Sequence, residues 1–595
     1  MRDDELTHFH PRHPKSPRRR SKGWILGMVA TAVVIALVLV IGVRAVLVRA
    51  LCEQGPVRLH VAASLDIAPA MQRIGQYFND LNRDVGGHCA QVDVTEDRPD
   101  AVAAELAGMG NIGNEAPVDA WVPDSSLWVN VVRTAARGAA ALHPTGISVA
   151  RSPLVITVPR KIAATVTSTS RHVAWRTLFP PPLGGPSASF GLQVQLPDPA
   201  HSAAGLATLV QVRRMLGDGQ NARAEFTTFV HYVLPSASFN DPQELAVLST
   251  LAEPPWQARP VTVTSEQAVE AYNKSSPSQP LTAYYPAPEY DLDYPFALAT
   301  SSPLKTQVAQ QFEQVLRSSF ASASVRGNGF RSATGQSEEA GNQYGIVGDP
   351  QPAVALATPG EASTALQAWN RLNLGSRDLV LDDVSGAMGE QLGATGETRL
   401  QVMQQAARIG LGLFPDSTQM GVWEYSYKMD GALPYKLLVP MGPLPAQLGL
   451  LNRRQQLQQV ALNVRPRPGA PTATYASILA AFRWMTAHYQ PGHVNILIVL
   501  GSGAETAPDS LPLSQMLTSL RKAADPRRPV EILTVSAGAD ANVAALQQIT
   551  AIGHGQSYVV EQPSDMARVF FDAVARRLCQ PNCAIRWDPR IRAGS

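Results

Sequence analysis

Charge is scarce in this chain. Of its 595 residues only 16% are Asp, Glu, Lys or Arg, and the formal net charge is +2. That balance supplies neither a basic field for a nucleic acid nor an acidic disordered tail, so no nucleic-acid partner is expected. Histidine is thin outside the first basic stretch, which leaves few general bases. There is no Gly-x-Ser-x-Gly elbow, no Walker loop and no His-Glu-x-x-His helix, and the chain is expected not to be an enzyme.

Cysteine is nearly absent too. The four present, Cys52, Cys89, Cys579 and Cys583, stand as two separated pairs and permit three pairings. Cys52 with Cys89 and Cys579 with Cys583 are the favoured disulfides. A zinc site would need further ligands beside the Cys-x-x-x-Cys pair, and no His lies near it in sequence.

What is abundant is apolar: 45% of the residues are hydrophobic, and the length exceeds what one core organises, so two or three domains are expected. Arg12, Lys15, Arg18, Arg19, Arg20 and Lys22 precede an uncharged run from Trp24 to Val43. At a helical rise of about 1.5 Å per residue this run crosses a bilayer core. The pattern predicts a basic cytoplasmic tail over 1–23, a single-pass transmembrane helix over 24–43 and a stalk over 44–55. Arg44 and Arg49 are too few to reverse the positive-inside bias, which puts the rest of the chain outside the cytoplasm. A cleaved signal peptide and a lipoprotein are the rival readings. Leu51 is too large to precede a lipidated Cys52, and the apolar run has anchor length. Arg18–Arg20 also suggests a twin-arginine signal, which a basic cytosolic face explains as simply.

VRLHVAASLDIAPAMQRIGQYFNDL, from Val57, reads as a strand, a turn at Ser64 and a helix with Ile67, Met71, Ile74 and Phe78 at helical spacing. Ser64 is then either the helix N-cap or a hydroxyl placed to hold an anion at the helix N-terminus. VDAWVPDSSLWVN repeats the arrangement with Ser125 and Ser126, and ISVARSPLVITVPR supplies runs suited to a buried α/β sheet. Together with LPDPAHSAAGLA and DLDYPFAL, these stretches resemble bacterial extracellular solute-binding proteins of the periplasmic type, with a flavour of the molybdate and other oxyanion binders. The resemblance implies two α/β lobes over residues 56–361, joined by hinge strands and closing on a small solute. By position it puts Ser64 and Ser125 or Ser126 at the cleft, with Ser202 or Ala203 and Tyr294 from the second lobe. Asp291 and Asp293, two apart in DLDYP, read as turn formers or solvated groups. Gly108, Gly110 and Gly113 spell a G-x-G-x-x-G, but it follows a helix-like run and leads into a strand, the reverse of a dinucleotide fold. A segment rich in Gly, Ser, Asn and Pro from Ser324 to Pro359 marks a connection, and the boundary is placed near residue 362.

From 362 to 578 short apolar strands (DLVLDD, MGVWEY, VNILIVL, VEILTVS, QSYVVE) alternate with amphipathic helices, which predicts a mainly parallel, doubly wound α/β sheet with its site at the strands' carboxyl ends. This unit resembles a von Willebrand factor A domain, followed by a tail over 579–595 with the Cys pair. The resemblance implies a metal-ion-dependent adhesion site built of hard oxygen donors suited to Mg²⁺ or Mn²⁺. Asp383, Ser385 and Thr472 match its positions. Ala387 and Ser502 depart from it, removing a hydroxyl and a carboxylate. Glu505 could reach back as a substitute, Glu390 opens the first helix, and Asp382 should face away from Asp383. The remaining donors would hold a divalent ion loosely or not at all, so a degenerate site is expected. The reading that follows is a membrane-anchored extracytoplasmic protein that recognises another envelope protein through this domain. The alternative is a sensor or transport receptor that binds a small solute, an oxyanion among the candidates.

Overall fold

The computed structural model describes residues 54–578 apart from 109–116, 136–137, 167–172, 181–191, 234–243, 255–258, 276–277, 338–343, 349, 351–352, 393–395, 539–541 and 564. The apolar run Trp24–Val43, Cys52, Gly110, Gly113, Cys579 and Cys583 lie outside the described residues. Among the described residues no helix is long and apolar enough to cross a membrane. Cys89 is disulfide-bonded.

The first half of the chain builds two lobes. In the first, strand Pro56–Ala63 lies between His88–Glu96 and Ala120–Val122, both parallel to it. Its partner helix Ala68–Asp80 buries the predicted stripe: Ile67, Met71, Ile74 and Phe78 are all inaccessible. The second lobe is organised on strand Ala150–Pro159, buried on both faces except at Arg151, with Pro260–Ser265 and Leu281–Tyr284 as antiparallel neighbours. Such two-sided burial is what a continuous apolar run encodes.

The run from Ile147 is not one strand. His143–Ser148 pairs in the first lobe and Ala150–Pro159 in the second, so the chain changes lobe at Val149. It returns between Leu292 and Pro295 and crosses again before Arg331–Ser332. The first two crossings are tied together by the Val149 amide on the Tyr294 carbonyl at 2.9 Å.

Helix Pro359–Asn373 packs on helix Ser126–Thr134 of the first lobe and on Ala203–Leu216 of the second. The boundary expected near residue 362 thus falls inside a helix whose apolar face (Ala362, Ala365, Ala368, Trp369 and Leu372) belongs to the two-lobed core. This strap helix starts on a reciprocal cap: Thr358 Oγ1 accepts from the Glu361 amide and the Glu361 carboxylate accepts from the Thr358 amide.

The second unit is a six-stranded sheet in the order Leu433–Pro443, Gln419–Asp430, Ser376–Asp383, Val494–Gly501, Val530–Ala537 and Gln556–Val560. All pairs are parallel except the hairpin Gln419–Pro443 at one edge. The chain leaves the central strand to one side and then returns on the other. This reversal opens a crevice at the carboxyl ends of Ser376–Asp383 and Val494–Gly501. Glu390 does not open a helix: it follows the short turn Gly386–Gly389, and the first helix begins at Arg399. The unit meets the second lobe through helix Asp565–Ala575, whose Phe570 and Phe571 lie edge-on to His231 with centroids 5.6 and 5.9 Å away.

Because Trp369 is fully buried where the strap helix joins both lobes, Trp369→Ala should destabilise the protein by roughly 3–5 kcal/mol. Urea unfolding followed by circular dichroism checks this, and a loss below about 1 kcal/mol would mean that the helix is not part of the two-lobed core.

Candidate functional site

Two places gather the residues that sequence singles out. The first is the junction between the two lobes. Ser64 does not cap its helix; its hydroxyl donates to Asp66 Oδ1 at 2.8 Å, and the same oxygen accepts from the Ile67 amide at 2.9 Å. The Tyr294 hydroxyl, from the hinge crossing, donates to the other Asp66 oxygen. Ser64 and Tyr294 therefore meet on a carboxylate that sequence reasoning passed over.

Ser125 and Ser126 meet a second one. The Ser126 amide donates to Asp293 Oδ1 at 2.7 Å, and Ser125 lies 3.4 Å from it while capping Leu127. Asp291 and Asp293 are buried, against the expectation of solvated turn residues. Burial pushes the carboxyls of Asp66 and Asp293 up, and the surrounding donors offset part of that. Ser202 caps its own helix through the Gly205 amide at 3.3 Å.

The geometry has one chemical consequence. Helix N-termini at Ile67 and Ser126 are where an anion would sit, and the protein's own carboxylates already occupy both. In sequence these are an Asp two residues after Ser64 and the second Asp of DLDYP.

Between the lobes, His201 Nδ1 lies 2.6 Å from Asp100 Oδ2, and Arg98 Nη2 lies 2.7 Å from the same oxygen. Asp100 stands in the first lobe and His201 in the turn before helix Ala203–Leu216 of the second, so this ion pair ties the lobes. The hydrogen bond to Asp100 raises the His201 imidazole above its ordinary value. Burial pushes Asp100 up, but hydrogen bonds and charge from His201 and Arg98 outweigh it and leave its carboxyl lowered.

The second place is the crevice of the sheet. Asp383, Ser385, Thr472 and Ser502 converge there, all buried. Asp383 Oδ1 accepts from the Ser385 amide at 2.8 Å, and Oδ2 accepts from the Ser502 hydroxyl at 2.8 Å and its amide at 3.1 Å. Thr472 Oγ1 donates to Ser385 Oγ at 2.8 Å. The strand approaches closely here, since a Cβ on Gly501 would stand 2.9 Å from Asp383 Oδ2. Ala387 sits half-buried in the adjoining turn and contributes no oxygen. Glu505 does reach back, but to the start of helix Thr474–Ala487: its carboxylate accepts from the Tyr475 amide at 2.6 Å and from Ala507 at 3.4 Å. Asp382 points the other way, into an apolar cavity of about 140 Å³ with Val380, Leu411 and Leu457. Burial first, then the charges of Asp383 and Glu424, push its carboxyl up to about 7.

Residues 59–331 match the family model described as bacterial extracellular solute-binding protein. Over 582 residues the chain is 24% identical to an uncharacterized protein from each of two strains of Mycobacterium tuberculosis, covering 91% of this chain and 81% of that protein. Among solved structures, it is similar to iron-bound HitA from Pseudomonas aeruginosa, at 16% identity and a TM-score of 0.39, covering 54% of this chain and 100% of that one. The sulfate-binding protein SubI from Mycobacterium tuberculosis is similar at 15% identity and a TM-score of 0.34, over 51% and 95% of the two chains. A von Willebrand factor type A structure from Catenulispora acidiphila is similar at 15% identity and a TM-score of 0.27, over 34% and 43%. None of these three likenesses bears on ligand identity. The family match runs through both lobes and all three crossings between them, so the two-lobed half is the part of this chain that resembles a bacterial extracellular solute-binding protein.

Proposed function

We propose that the chain is an extracytoplasmic solute receptor, held to the membrane by its Trp24–Val43 run, whose two-lobed half captures a small neutral or cationic solute. The observation that carries this reading is the pair of carboxylates, half-buried Asp66 and buried Asp293, at the helix N-termini between the lobes. An oxyanion there would displace or face them, at a like-charge cost. A hydroxyl-bearing or amine-bearing solute finds acceptors instead. Binding, not catalysis, is the activity. The favoured partner of Cys89 is Cys52, since the strand register sets Cys89 opposite Pro56, four residues along from Cys52.

The sheet crevice supports a metal-free site. The one carboxylate has both oxygens engaged by neighbouring donors, and the hydroxyls of Thr472 and Ser385 satisfy each other. Ser502 replaces a second charge with a donor, which satisfies Asp383 without a cation. Octahedral Mg²⁺ would have to break these bonds for a single negative charge. Recognition of an envelope protein by the second unit has one observation in its favour, the exposed Leu437 on the edge hairpin, 56% accessible.

Three outcomes are expected. In a thermal-shift screen, neutral or cationic solutes raise the melting temperature and Asp66→Asn weakens the best of them by at least about tenfold. A sulfate or molybdate shift abolished by Ser64→Ala would sink the assignment. In calorimetry, Mg²⁺ and Mn²⁺ give no saturable heat that Asp383→Asn removes, whereas such a heat would restore a working metal site.

The third concerns pH. His201 is raised and Asp100 lowered when the lobes are joined, so the pair's contribution is complete between their ordinary values, 3.8 and 6.5. It is lost as pH rises through the elevated His201 value, and also as pH falls through the depressed Asp100 value. Asp198 adds to the His201 shift and Arg98 opposes it. Both partners are partly exposed, so the effect is modest and weakens with salt. Hydrogen exchange over 99–106 and 198–206, corrected for intrinsic rates, should increase from pH 5.5 to 8.5, and His201→Ala should remove that difference.

A further inference from the structure

Beside the strap helix lies a cavity of about 260 Å³ between the turn joining helices Ala203–Leu216 and Gln220–Val233, the strap helix itself, and Leu578 at the end of the second unit. Its lining is cationic: Arg213, Arg223 and Arg371 face it against one carboxylate, Asp218. The three arginines come from three separate helices. None of them makes a salt bridge with a described residue. Their neighbour Arg214 shows the contrast, since it is saturated by Glu361 and by the carbonyls of Ala355 and Leu356.

Two of the guanidinium groups are held in place. Arg213 lies over the Phe226 ring, 5.3 Å from its centroid, and Arg371 Nη1 donates to the Leu578 carbonyl at 3.2 Å. That leaves most of their five donors each for something else. Thr364 and Gln367 share the Arg371 face of the strap helix and add a hydroxyl and an amide. Ala222, in the first turn of the next helix, brings the positive end of that helix to the same space. Burial lowers the Arg213 pKa, and repulsion from Arg223 adds to it; Asp218 opposes both. Three guanidinium groups against the single carboxylate of Asp218 leave the cavity net positive.

We infer that this cavity is a binding site for a small phosphate-type oxyanion, of the size of inorganic phosphate or diphosphate, gripped by Arg213, Arg223 and Arg371. The volume is below the roughly 300 Å³ where drug-sized ligand sites begin, and planar guanidinium forks match tetrahedral oxyanions. A ligand there would join the second lobe, the strap helix and the end of the second unit at once. The site is separate from the cleft and does not depend on what the cleft binds.

The test is calorimetric titration of pyrophosphate and inorganic phosphate into the full-length chain at fixed ionic strength, beside Arg213→Gln, Arg223→Gln, Arg371→Gln and the remote control Arg317→Gln. Saturable pyrophosphate binding is expected, weakened at least about tenfold by each cavity variant and unchanged by the control. Melting temperatures without ligand establish that each variant folds, and the exposed Arg223 provides a readable variant should Arg213→Gln unfold. Ser64→Ala should leave this binding unchanged, which keeps it distinct from any cleft ligand. The assignment is overturned if no saturable heat appears, if the arginine variants bind as the parent does, or if citrate binds more tightly than pyrophosphate.

Discussion

The Arg214–Glu361 pair is the joint around which the two-lobed half is arranged. Arg214 Nε and Nη2 meet the two oxygens of Glu361 at 2.8 and 3.0 Å. The same carboxylate closes the cap of the strap helix on Thr358, and its pKa is lowered to about 2, chiefly by the Arg214 hydrogen bonds. One side chain thus sets where the helix begins and which lobe it is tied to. With that start fixed, the apolar stripe from Ala362 to Leu372 lands on both lobes. The strap helix packs on both lobes, and the Asp100–His201 pair adds a second, partly exposed tie between them.

The same economy governs the sheet crevice. The fold of a doubly wound sheet forces backbone amides and strand ends to converge at the reversal of strand order. Any side chain placed there is buried with its polar atoms facing its neighbours. A carboxylate in such a place needs either a cation or several donors. Asp383 has donors: the Ser385 amide, and the Ser502 amide and hydroxyl. The counter-partner of Asp383 on this side is therefore a hydroxyl and an amide of Ser502.

Much of this was legible in sequence, and the reasons differ by element. The parallel strands of the second unit announce themselves because buried strands are rich in continuous apolar runs, and Ile496–Leu500 within Val494–Gly501 is the clearest case. The hairpin return Leu433–Pro443 was missed because its exposed edge mixes Lys436 and Pro440 with leucines and carries no clean alternation. The change of lobe at Val149 was invisible because the apolar run continues straight through it. Asp66 and Asp293 were missed as site residues because an acidic residue in a turn looks the same in sequence whether it is solvated or buried under a helix N-terminus. Only the fold brings Tyr294 to Asp66.

That last contact bears on what the cleft can accept. The resemblance in sequence carried an expectation of an oxyanion with it. Here the two helix N-termini at Ile67 and Ser126 are satisfied from within, by carboxylates whose burial is tolerable only because amide, serine and tyrosine donors surround them. A bound anion would have to remove those carboxylates from their donors while meeting their charge. A solute offering donors of its own adds partners to oxygens that still have lone pairs, without disturbing the existing bonds. The hydroxyls of Ser64, Ser125 and Tyr294 thus hold the carboxylates of Asp66 and Asp293 in place.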